Sequence, residues 1–242
     1  MRTEIPEFYS HVLIFGPGQR GIDRDGPPAV RVGGVLLSPR LAFSYLLAAR
    51  RLIVQAQESR DRMDVVAFPI AYLQRHAFEV AIKDLTAMAY DVDHSRKWLQ
   101  QLERRGARAT VPSARKRSKE HDFKQLLDAL RQALDVIGYD PATLPPTLDE
   151  TAQRLSEAEE LDEHRFRYGT FDKPVVLELG ARQDELEALF DRHFWFRDWD
   201  HAEEQDSTYA ALAMELERLF QRYAPLESEL GLTTPAKTDE LF

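Results

Sequence analysis

Ile70-Ala71-Tyr72-Leu73-Gln74-Arg75-His76-Ala77-Phe78-Glu79-Val80-Ala81-Ile82-Lys83-Asp84-Leu85-Thr86-Ala87-Met88-Ala89 contains neither proline nor glycine. Its apolar positions, Ile70, Leu73, Ala77, Phe78, Ala81, Ile82, Leu85 and Ala89, recur at three- and four-residue spacing, which predicts a helix. They cover most of its circumference, and a helix apolar nearly all round is a central one. One polar stripe is left: Arg75, His76, Glu79, Lys83 and Thr86. Arg75, Glu79 and Lys83 stand four apart. On an exposed helix such a ladder contributes only ~0.2–0.5 kcal/mol per pair. On a buried helix it is positioned to line a polar cleft.

Outward from this segment the helical pattern continues in both directions. The central helix is predicted from about Asp64 to Tyr90, with Pro69 in its opening turns, where the missing N–H is harmless. Before it, Ser38-Pro39 reads as a cap followed by a first-turn proline. Leu41, Tyr45, Ala48 and Leu52 then give a helix ending near Asp61. After it comes a polar helix or loop to about Arg105, then a basic segment through Lys119. Phe123, Leu126, Leu127, Leu130, Leu134 and Ile137 mark an amphipathic helix from Asp122 to Ile137. Pro141, Pro145 and Pro146 break the chain. A short acidic helix is predicted over Leu148–Glu160, and an extended stretch over Arg165–Leu179. Two further helices are marked by Leu186, Leu189, Phe190 and Phe194, and by Tyr209, Leu212, Leu216, Leu219 and Tyr223.

Residues 1–37 differ. Phe8–Phe15 and Val30–Leu37 are apolar and β-branched around a Gly/Pro/Asp-rich loop, which predicts a small β-hairpin or extended arm. The organisation expected is therefore a β arm at 1–37, an all-α bundle at 38–230 and a frayed tail at 231–242. The chain has 242 residues, 43% hydrophobic and 30% charged, enough for a sizeable core. No apolar run approaches the ~20 residues that span a bilayer, and the first residues show no secretory signal. There are no cysteines, which removes disulfides, thiolate zinc sites and a thiol nucleophile. These features fit a cytoplasmic protein that does not engage the membrane.

Several short patterns carry possible chemistry. Gly16-Pro17-Gly18-Gln19-Arg20-Gly21 spells a dinucleotide-binding fingerprint, but Asp23, Asp25, Gly26, Pro27 and Pro28 follow where that motif needs a helix. It reads as a turn. Arg104, Arg105, Arg108, Arg115, Lys116, Arg117 and Lys119 form a run without acidic residues in a chain of net charge −9. The run is a candidate nucleic-acid contact through phosphate, without an aromatic for base stacking inside it. His121-Asp122 invites an HD-type metal phosphohydrolase reading. His76 or His94 would then supply an earlier ligand, and Asp184, Asp191 or Asp198 a later one. Asp122 equally suits the start of a helix.

Three blocks together resemble a known family. Tyr72–Lys83 is similar to the long helix of prokaryotic HEPN-like proteins, with its Arg-His-x-x-Glu core. His121–Leu127 resembles their His-Asp-Leu-x-x-Leu helix start. Arg165–Lys173 resembles their Arg-Tyr-Pro-x-Asp segment, with Gly169 replacing the proline. The resemblance spans roughly residues 40 to 220 in the family's order. It implies an up-and-down helical bundle, frequent homodimerisation, and roles in RNA cleavage or nucleotide binding within antiviral defence and toxin–antitoxin systems, often beside an operon-encoded partner. Ribonuclease members carry an Arg, four to six intervening residues, then a His, a pair that binds and polarises the scissile phosphate. Arg115 and His121 have that spacing, although Arg115 falls ahead of the predicted helix.

The leading expectation is an accessory protein that binds RNA, a nucleotide or a protein partner, without a bound metal or cofactor. A metal-independent ribonuclease using Arg115 and His121 is the alternative. Arg75, Glu79, Lys83, His121, Arg167, Tyr168 and Asp172 are expected to meet in one polar cleft, where a buried carboxylate needs a cationic partner.

Overall fold

The computed structural model describes residues 40–58, 63–106, 121–160, 178–194 and 207–230. Among these residues the fold is helical and has no strand. The expected N-terminal β arm, the glycine-rich turn at 16–21 and the C-terminal tail lie outside the described residues.

Six α-helices follow one another: α1 (Arg40–Glu58), α2 (Met63–Arg105), α3 (Phe123–Val136), α4 (Thr147–Glu160), α5 (Leu179–Leu189) and α6 (Thr208–Glu229). A short 3-10 turn, Pro141–Thr143, joins α3 to α4, and α5 widens into a π turn over Phe190–Phe194. The central helix was expected to end near Tyr90. It runs to Arg105, 43 residues in all, or about 65 Å at 1.5 Å per residue. The polar stretch after Tyr90 stays helical because Val92, Leu99 and Leu102 remain buried along one face. Gly106, at φ 56°, takes the left-handed conformation that suits a helix end.

Every helix except α4 packs directly on α2. Phe78 and Ile82 are fully buried and Leu85 is 1% exposed, as the periodicity predicts. Around them lie Phe123, Leu126, Leu127, Leu130 and Leu134 of α3, Leu148 and Leu155 of α4, and Leu186, Phe190 and Phe194 of the α5 segment. Tyr209, Leu212 and Leu219 of α6 close the same core. A smaller cluster joins Ala49 and Ile53 of α1, Ile70 and Ala71 of α2, and Leu179 of α5. Leu179 therefore opens a helix, while residues 165–177 of the expected extended stretch lie outside the described residues.

Helix directions can be read from the tertiary contacts. Tyr45 meets His76 while Ile53 clusters with Ile70, so α1 and α2 are antiparallel. The next step is different. Phe123, at the start of α3, packs on Phe78 with ring centroids 5.2 Å apart. Ile137, at its end, accepts a hydrogen bond from Arg96. Helix α3 therefore runs parallel to α2, and the alternation of an up-and-down bundle is broken there. Helix α6 is also parallel to α2, since Glu215 pairs with Arg96 and Arg222 with Glu103. The physical cause is the length of α2. It carries the chain past the whole core, and the chain re-enters the described fold at His121, back beside Glu79. Gly106 and His121 thus stand about 40 Å apart along a straight helix.

Local signals fix the ends of α3. The Asp122 side chain accepts the Gln125 N–H at 2.8 Å and caps the helix. At the other end Gly138, at φ 75°, donates to Asp135, and the Tyr139 N–H reaches Leu134. This is a Schellman closure, in which glycine avoids the Cβ strain of a positive φ. The Ser207 hydroxyl likewise accepts the Ala210 N–H at the start of α6.

Candidate functional site

The polar stripe of α2 meets α1 through the Tyr45–His76 ring contact and the N-terminus of α3 through His121 and Glu79. Glu79 is its centre, 3% exposed. Lys83 Nζ donates to Glu79 Oε1 at 2.7 Å, and Arg75 Nη1 donates to Oε2 at 3.0 Å. His121 Nδ1 lies 2.8 Å from Oε1, across from the next helix in the chain. Arg75 also donates through Nη2 to the His121 carbonyl at 3.3 Å and rests over the Phe123 ring, 5.1 Å from its centroid. One buried carboxylate therefore organises three basic side chains and fastens α3 to α2.

Burial alone would raise the Glu79 pKa. Its contacts with Lys83 and then His121 outweigh that, and the carboxyl is held below its ordinary value. It is ionised at neutral pH. Arg75 and Lys83 both pair with this carboxylate. On the first turn of α3, Asp122 and Lys124, both exposed, offset each other in charge. Arg75 reaches the His121 carbonyl at the N-terminus of α3, the positive end of its dipole.

An aromatic row continues the stripe toward the start of α2. The Tyr72 and His76 rings are stacked, with centroids 5.6 Å apart and planes 14° from parallel. Tyr45 of α1 meets the His76 ring edge-on at 4.6 Å. Burial pushes the His76 imidazole below its usual pKa, so it is neutral at pH 7. At the other end of the stripe, Thr86 is buried and turns its hydroxyl to the Ile82 carbonyl.

Four of the seven residues expected in the polar cleft therefore meet: Arg75, Glu79, Lys83 and His121. Arg167, Tyr168 and Asp172 lie outside the described residues, as does Arg115 of the expected Arg–His pair. Of the basic run, Arg104 and Arg105 occupy the last turn of α2 and are exposed. Arg108, Arg115, Lys116, Arg117 and Lys119 lie outside the described residues. Arg104 stands about 38 Å from Glu79 along the helix, because α2 does not stop where its apolar density thins.

Of the residues in the HD-type reading, Asp198 lies outside the described residues. Asp122 caps α3, His76 belongs to the aromatic row, and Asp184 pairs with Arg50. Among the described residues no group of three His, Asp or Glu side chains is arranged to hold a metal ion.

A second polar network was not foreseen. Gln74, fully buried, donates from Nε2 to the Leu179 carbonyl and to Gln183 Oε1, both at 2.9 Å. Gln183, also fully buried, donates to the Leu46 carbonyl and to Glu187. Glu187 in turn receives Arg50 in a two-point contact at 2.9 and 2.6 Å. The chain of contacts fixes α1, α2 and α5 in register. Its sequence signal was a glutamine at a position where the helical period calls for an apolar side chain.

Comparison with protein-family models, with curated proteins and with solved structures finds no match. No helix among the described residues is long and apolar enough to cross a membrane.

Proposed function

We propose that this chain is a HEPN-like accessory protein that binds the phosphate of RNA or of a nucleotide at the polar stripe of α2, beside the N-terminus of α3. The observation that carries the reading is the convergence of Arg75, Lys83 and His121 on the single buried carboxylate of Glu79. Such a centre holds its cations in place before the ligand arrives, so less ordering entropy is lost on binding. The basic residues Arg115, Lys116 and Arg117 precede His121 closely in sequence and add to the positive charge of this chain segment. A homodimer, an operon-encoded partner and a role in defence or toxin–antitoxin systems belong to the same reading through the family resemblance.

A salt titration of RNA binding tests it. Affinity is expected to fall steeply as salt rises, because each neutralised phosphate releases counterions. Replacing Arg115, Lys116 and Arg117 together by Gln should flatten the slope. Absence of binding at low salt rejects the reading and leaves a protein–protein role.

One observation favours the ribonuclease alternative enough to test beside it. Glu79 holds His121 through Nδ1, while the His121 side chain remains 63% exposed. A carboxylate that orients an accessible imidazole is a common arrangement for general acid–base work. Cleavage of RNA that survives EDTA and is lost in His121→Ala would establish it. EDTA-sensitive turnover of a nucleotide or phosphomonoester would instead favour the phosphohydrolase.

A further inference from the structure

We draw no further inference here: the strongest candidate, the exposed apolar side chains spaced seven residues apart on α1 (Leu47 and Val54) and on α2 (Val65 and Tyr72), carries none because nothing in the structure shows what covers them.

Discussion

Replacing Glu79 by Gln removes the buried negative charge on which Arg75, Lys83 and His121 converge and keeps the side-chain volume. The Glu79 side chain is 4% exposed, while those of Arg75 and Lys83 are 20% and 23% exposed. Breaking a fully buried pair costs ~3–5 kcal/mol and an exposed one ~0–1 kcal/mol. A buried carboxylate facing two cations that partly reach water falls between them, at about 2 kcal/mol, since Gln still accepts one hydrogen bond. For a chain of this size that corresponds to a fall in Tm of about 4–8 °C. Chemical denaturation of wild type, Glu79→Gln, Lys83→Met and the double variant measures the loss and the coupling between the two positions.

The pH dependence supplies the sign. The Glu79 pKa is depressed in the fold from its ordinary 4.5. Its ionised form therefore stabilises the protein fully above pH 4.5, and that stabilisation disappears as pH falls through the folded value. The gap between wild type and Glu79→Gln should stay constant from pH 7 to about 5 and shrink below pH 4.5. A loss under about 0.5 kcal/mol, the range of an ordinary surface change, would refute the reasoning. So would a gap of equal size at pH 7 and pH 3.5, or the absence of coupling between Glu79 and Lys83.

Two further predictions concern the placement of α3. Asp122→Ala should destabilise by about 1 kcal/mol through loss of the cap to Gln125, and Asp122→Asn by much less, measured by urea denaturation. Arg96 donates from Nε and Nη2 to Glu215 Oε1 and from Nη1 to the Ile137 carbonyl. It thereby ties the end of α3 and the middle of α6 to α2. Its side chain is 39% exposed, so Arg96→Met should cost only about 1–2 kcal/mol. Arg96→Lys should recover part of that at most, because an ammonium cannot reproduce the fork.

How far the sequence spoke depends on the range of the signal. The helix around Phe78, Ile82 and Leu85 was legible because its apolar residues repeat at the helical period within a few turns. The α3 helix was legible for the same reason, down to its cap at Asp122. Polar residues at one helical spacing also placed Arg75, Glu79 and Lys83 on one stripe. Their local pattern did not carry the end of α2. After Tyr90 the helix is held by widely spaced apolar residues, Val92, Leu99 and Leu102, which gain their burial from α3 and α6. Nothing within the segment announces those partners.

The sequence by itself determined the helical class, the buried face of α2 and the residues able to form a charged stripe, since these follow from backbone geometry and side-chain solubility over short distances. Only the tertiary structure decided that α3 runs parallel to α2 and brings His121 to Glu79, 42 positions earlier in the chain. Only the tertiary structure paired Gln74 with Gln183 and set Tyr45 against His76. Each of these depends on which helix faces pack together. That choice minimises exposed apolar surface and unpaired buried polar groups over the whole core at once, and no single stretch of sequence contains it.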